Sequence, residues 1–265
     1  MAPRVCIYCG GSRPIYHPVW PGWLNRYLSA TPEGDEVHTT WNGRGVSDVF
    51  QVHNTLSEPC RQRARLVCSK CNTGWSGTLC EQAKPLVMSL VCGRPSRLTQ
   101  LEQRIIAAWS AMMVMMIGAC KENESFMTSR ERAQFCADQV LPANWKIFAG
   151  HYNRLAWERS VYCSHSSLWV SRRGTVTCIG SESLLVPIAQ TTSIVIGALS
   201  VHAFSSSRQE IISDFEIDGS SADFLRRLWP AAAQSLNWPP PRMNRIESAL
   251  MSSAFVSVAK RATVH

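Results

Sequence analysis

The chain of 265 residues has room for one large domain or two modest ones. Apolar side chains make up 45% and charged ones 17%, which supports a packed core and excludes a wholly disordered chain, while 15 Gly and 14 Pro exclude collagen-like and low-complexity architectures. The formal net charge of +8 suits an acidic partner such as nucleic acid. Of the 27 basic side chains 22 are Arg, whose planar fork matches phosphate, although a GC-rich genome produces the same bias. Eleven cysteines are an odd number and too sparse for a disulfide miniprotein. No apolar stretch separates Met1 from Cys6, so no secretory signal is read and a reducing, cytoplasmic setting is expected.

Residues 1–30 combine the pair Cys6 and Cys9 with a loop rich in Pro and Trp (Pro14, Pro18, Trp20, Pro21, Trp23). Strand-like runs follow at 36–41, 48–54 and 64–68, the first two flanking Asn42-Gly43, a dipeptide that favours the tight turn of a β-hairpin. The pair Cys68 and Cys71 precedes a helical pattern over 73–91, with a break or kink expected at Pro85. Gly93-Arg94-Pro95 punctuates the chain and predicts a boundary, giving a module of residues 1–95 and a helical plus β-rich region of residues 96–265. Thr99 with Glu102, and Thr128 with Glu131, carry the spacing of helix-opening capping boxes. The apolar run Ile105–Cys120 is 16 residues long, shorter than the roughly 20 that a bilayer-spanning helix needs, and it contains Ser110. It reads as a buried core helix, and no membrane partner is expected. Residues 145–218 have strand character, 220–228 look helical up to Trp229-Pro230, Trp238-Pro239-Pro240-Pro241 is extended, and 243–261 reads as an amphipathic helix. The fold class is α+β.

The two CxxC pairs carry the sharpest chemical signal. Each places two thiols on one tight turn, and two such turns complete a tetrahedral four-sulfur shell suited to a structural Zn²⁺. Cys6, Cys9, Cys68 and Cys71 are therefore the candidate metal ligands, with Gly10-Gly11 supplying a knuckle and the 58 residues between the pairs an insertion. A redox CxxC and an iron–sulfur cluster remain as alternatives. Cys60 and Cys80 are spare ligand candidates, and the remaining cysteines read as small core residues.

Arg61, Arg63 and Arg65 alternate, so a strand would point all three to one face about 6.6 Å apart, with Gln62 and Ala64 on the other. With Lys70 in the second knuckle they form a candidate phosphate-binding row; the alternative is a solvated strand face. Trp20, Trp23 and Trp75 read as core residues of a small module rather than base-stacking platforms.

Cys6-Ile7-Tyr8-Cys9-Gly10, His17 within a Pro/Trp-rich stretch, Cys68-Ser69-Lys70-Cys71-Asn72 and Glu81-Gln82-Ala83-Lys84-Pro85 together resemble bacterial and phage proteins related to zinc-containing HNH endonucleases. The resemblance covers about the first 95 residues and implies a treble-clef or zinc-ribbon module that cleaves phosphodiester bonds of nucleic acid, DNA being the expected partner. It implies His17 as general base, Asn72 as the group orienting it, and a Mg²⁺ or Mn²⁺ ion as electrophile beside the structural zinc. This sequence departs from the family at Tyr16, where an acidic metal ligand is expected, and at Pro18, which directly follows His17. Asp48, His53, Asn54 and Glu81 are conceivable replacement ligands. The rival expectation is a zinc-stabilised binding or adaptor protein without catalysis, bound to DNA or to a protein partner; a third is a phage–host interaction protein acting on a protein partner through residues 97–265.

Overall fold

A computed structural model describes residues 5–11, 13–29, 37–44, 49–56, 63–122, 127–153, 161–171, 185–207, 212, 221–231 and 234–243. The chain mixes helix and strand. A short strand β1 (Pro14–Pro18) leads into helix α1 (Gly22–Ser29), then the hairpin β2 (Val37–Arg44) and β3 (Val49–Leu56). Strand β4 (Arg63–Cys68) returns to pair antiparallel with β1 and runs directly into α2 (Ser69–Thr73) and α3 (Trp75–Val91). Next come β5 (Ser96–Thr99), the long helix α4 (Gln100–Glu122) and α5 (Ser129–Asp138). The rest is mainly sheet: β6 (Trp145–Tyr152), β7 (Val161–Ser171), β8 (Leu185–Ile196) and β9 (Leu199–Ser206), then a single turn α6 (Ser221–Phe224), β10 (Leu225–Trp229), β11 (Ser235–Trp238) and β12 (Arg242–Met243).

Helix α4 is the centre of the molecule. Every residue from Ile106 to Ile117 is buried, so the helix is apolar all round and must be enclosed on every side. It packs on α3, β4, β5, β6, β9, β10 and β11. Ser110, the one hydroxyl in that stretch, returns its proton to the Ile106 carbonyl at 2.8 Å, which satisfies it without an outside partner. No helix among the described residues is long and apolar enough to cross a membrane. The capping box at its head is formed as expected: the Glu102 carboxylate accepts from the Thr99 backbone N–H at 2.7 Å, and the Glu102 N–H donates to the Thr99 hydroxyl at 3.3 Å. Thr128 and Glu131 make the equivalent pair at α5.

The main sheet has the order β10-β6-β9-β8-β7, with β12 also paired to β6. One face presents Ile147, Ala149, Ile194, Ile196, Leu199, Val201 and Ala203 to the common apolar core, which also takes in Cys6, Trp20, Leu79 and Trp109. Residues on both sides of position 95 thus share one core. The opposite face of β8 and β9 is equally buried and mixes Val195 and Phe204 with polar side chains: Ser193 bonds His202 Nδ1 at 2.8 Å and Ser200 bonds His202 Nε2 at 2.7 Å.

Three expectations on local structure are corrected. Asn42 and Gly43 lie in strand β2 opposite Gln51 and Phe50, because the ladder continues to Arg44 opposite Val49 and the connection falls at residues 45–48, outside the described set. Pro85 sits inside an unbroken α3; the break comes earlier, at Gly74, where a Cβ would lie 2.5 Å from the Lys70 carbonyl oxygen. Residues 220–228 are helical only at Ser221–Phe224. From Leu225 the chain joins β6 as a strand, because that pairing buries Leu225 and Leu228. Within the expected strand region 145–218, β6 to β9 are strands and residue 212 is helical, while residues 154–160, 172–184, 208–211 and 213–218 lie outside the described residues. The expected helix over 243–261 also lies outside them, apart from Met243, which is in β12.

Burial pushes the His202 imidazole down to about 4 from its ordinary 6.5. The unfolded chain then binds a proton that the folded chain refuses, so this group stabilises the fold fully above about pH 6.5 and loses that contribution as pH falls toward 4. Urea midpoints at pH 7.5, 6 and 5 should therefore fall more steeply for the wild type than for His202→Gln. Parallel curves for the two proteins would contradict the assignment.

Candidate metal centre and basic ribbon

Two backbone turns, distant in sequence, deliver the four cysteines. In the first, Gly10 N–H donates to the Cys6 carbonyl at 2.9 Å and Cys6 N–H to the Gly11 carbonyl at 2.7 Å, closing a loop that requires Gly10 at φ +69°. Gly11 N–H points at Cys9 Sγ at 3.4 Å. The second turn is the junction of β4 with α2: Cys68 ends the strand and Cys71 lies on the helix. Ile7 N–H donates to the Leu66 carbonyl at 2.9 Å, stitching the first turn to β4. All four sulfurs fall within 4.8 Å of one another, and Cys9 and Cys68 are 3.8 Å apart. These thiols are free, and the group could hold a metal ion. Among the described residues no other set of three or more His, Cys, Asp or Glu is so placed.

The thiols differ in environment. Burial pushes Cys6 and Cys71 up, Cys71 well above the ordinary thiol range. At Cys68 burial also pushes upward, but hydrogen bonds from the Cys71 backbone and from the Cys71, Cys9 and Cys6 thiols outweigh it and the net direction is down. Converting the cluster to four thiolates therefore needs a cation, and metal uptake must expel protons. Cys80 stands outside the group. Burial, reinforced by Glu81, pushes its thiol up to about 12, so it stays protonated. Cys136 of α5 is likewise pushed up to about 12, first by burial and then by Cys6 and Cys9. Cys60 lies outside the described residues.

His17 is buried on β1, opposite Ala64 of β4. Its Nδ1 lies 2.7 Å from the Pro18 carbonyl, which accepts a bond only if Nδ1 carries the proton, leaving the Nε2 lone pair without a hydrogen-bond partner. Burial lowers its pKa; the Pro18 carbonyl opposes that shift and the Arg63 guanidinium reinforces it. Asn72 sits on α2 between Cys71 and Thr73, half-buried, and makes no bond to either ring nitrogen of His17. Glu81 is exposed on α3. His53 and Asn54 lie on β3, paired with Thr40 and Thr39, and Asp48 is outside the described residues.

The alternation along β1 that buries His17 turns Tyr16 outward, 59% exposed. Arg65 faces Tyr16 across the ladder, and the Arg63 guanidinium carbon lies 5.2 Å from the Tyr16 ring centroid. Arg63, Arg65, Lys70 and Arg13 are all exposed. Period two along β4 thus puts Arg63 and Arg65 on the open face as the sequence indicates, whereas Arg61 lies outside the described residues. Trp20 and Trp23 are core residues, and Trp75 packs edge-on against Tyr8 at 4.9 Å and Phe135 at 5.4 Å. Sequence reading missed Tyr16 as part of this surface, because only pairing with β4, far along the chain, makes Pro14–Pro18 a strand and fixes which of Tyr16 and His17 faces out.

Comparison with protein-family models, with curated proteins and with solved structures finds no match to this chain.

Cys68→Ser should lower tightly held metal from one ion per chain to a small fraction of that, as read by elemental analysis after gel filtration. Full metal retention by this variant would contradict the four-sulfur site.

Proposed function

We propose that the chain is a nucleic-acid-binding protein whose recognition ribbon is held together by a structural zinc ion. The observation that carries this reading is the convergence of four cysteine sulfurs at the end of strand β4, whose exposed residues include Arg63 and Arg65. Four sulfurs at about 2.3 Å from a central ion in a tetrahedron are about 3.8 Å apart, and Cys9 and Cys68 have a separation of 3.8 Å. An all-thiolate shell suits Zn²⁺, and with four protein ligands it has no open position, so the ion builds structure and does no chemistry. A knuckle, two antiparallel strands and a helix whose first turn carries the last ligand support a treble-clef reading of this module.

Arg63, Arg65 and Lys70 supply phosphate contacts, which give affinity and register without reading sequence. Each contact released by mutation should remove about one unit from the slope of log affinity against log salt. Fluorescence anisotropy with a labelled oligonucleotide should therefore show tighter binding at low salt, with Arg63→Ala and Arg65→Ala each flattening the slope by about one unit. Absence of binding, or binding indifferent to salt, would overturn the proposal.

A second reading, phosphodiester cleavage of the HNH type, is favoured by one observation. The proton held on His17 Nδ1 by the Pro18 carbonyl leaves the Nε2 lone pair without a hydrogen-bond partner, and burial favours the neutral ring. Nε2 is itself buried, so this reading needs the site to open to water and substrate. His17 would then draw a proton from water, and Mg²⁺ or Mn²⁺ would stabilise charge on the phosphate. Nicking of supercoiled plasmid that needs one of these ions and falls at least a hundredfold in His17→Ala, with bound zinc unchanged, is the expected result on this reading. Equal nicking by both proteins would remove His17 as the base.

A further inference from the structure

The ribbon places its side chains against the usual preference. Burying an aromatic ring is favourable and burying an imidazole costs desolvation, yet β1 turns Tyr16 into solvent at 59% exposure and His17 into the interior at 8%. Ile15 beside it is also open, at 37%. Tyr16 is not left alone there: Arg63 lies over its ring at 5.2 Å and Arg65 stands directly across the ladder. The two segments that build the ribbon, residues 5–18 and 63–73, contain Arg13, Arg63, Arg65 and Lys70 and no Asp or Glu. An exposed ring flanked by Arg63 and Arg65, on two segments without an acidic residue, is complementary to a polyanion that also offers flat, apolar faces.

Nucleic acid has both properties, but only where its bases are unpaired. In a duplex each base face is covered by its neighbours, and the protein meets phosphates and base edges. In a single strand the faces open, and stacking on an aromatic side chain is worth about 1–3 kcal/mol per base. We propose that Tyr16 is a stacking platform for one unpaired base, so that the ribbon takes single-stranded nucleic acid in preference to duplex. This rests on the reading of the ribbon as a nucleic-acid-binding surface and adds the form of strand it selects. Arg63 packs against the ring through its cation–π contact and meets a phosphate with its remaining donors, while Arg65 meets a neighbouring phosphate. The tyrosine hydroxyl is not needed for stacking, so the ring alone is the determinant.

The test uses the full-length, metal-loaded chain, a labelled dT oligonucleotide and a blunt duplex of equal length, measured by anisotropy at matched salt. Wild type should bind the single strand at least tenfold more tightly. Tyr16→Ala should weaken single-strand binding by about 5- to 150-fold and leave duplex binding within twofold, with Tyr16→Phe staying near wild type. Because Tyr16 is exposed, the Ala variant should keep its metal and its circular dichroism, which the same samples report. Equal wild-type affinity for the two forms, or a Tyr16→Ala variant that binds the single strand as well as wild type does, overturns the platform even if Arg65→Ala still weakens binding. Failure of both oligonucleotides to bind overturns both this inference and the reading beneath it, and turns the aromatic and arginine patch toward a protein partner.

Discussion

Everything on the N-terminal surface depends on four sulfur atoms meeting at one point. Cys9 and Cys68 are 59 residues apart in sequence and 3.8 Å apart in space. A two-stranded ribbon is at best marginally stable in water, and β1 and β4 are separated by an insertion whose closure carries an entropic cost of its own. Backbone bonds help, as at Ile7 to Leu66, but each such bond is worth only about 1 kcal/mol net. A metal held by the four sulfurs would supply an order of magnitude more, because binding free energy at an unformed site becomes folding free energy. With Leu66 and Val67 of β4 in the common core and a metal at the four sulfurs, the exposed positions of the ribbon would be left for cations.

The second constraint is enclosure of α4. Its uninterrupted apolar stretch cannot face water, so α3, the main sheet and the short strands β5 and β11 close around it. The same core reaches the cysteine turns through Tyr8, whose hydroxyl donates to the Met112 carbonyl at 3.4 Å, and through Trp75 and Phe135. The cysteine turns and the main sheet thus share one hydrophobic core. The opposite face of β8 and β9 shows the other solution to burial, in which His202 is tolerated because each ring nitrogen meets a serine hydroxyl.

What the sequence disclosed followed the range of the interaction. The two capping boxes depend on residues three apart, and both were legible. So were the CxxC pairs, since each pair fixes its own turn and the chemistry of four thiols fixes the meeting point. Strand β10 was not, because Ser220–Leu228 favours helix locally and only pairing with β6 makes it a strand. The hairpin turn was displaced for a similar reason: Asn42-Gly43 is a strong local signal, but ladder pairs to Arg44 outweigh it. At the site, Arg63 and Arg65 could be phased from their own alternation. Tyr16 and His17 could not, because Pro14–Pro18 is a strand only by virtue of β4, far along the chain. Reading that segment as a loop hid which of the two side chains faces out.

The most direct test of this account is X-ray absorption at the metal edge of the purified protein. Zinc as the bound metal, with a first shell of four sulfur atoms at about 2.3 Å and no nitrogen or oxygen, is the result predicted. A shell with iron at its centre, a mixed sulfur and nitrogen or oxygen shell, or protein that folds fully with no metal bound would contradict it.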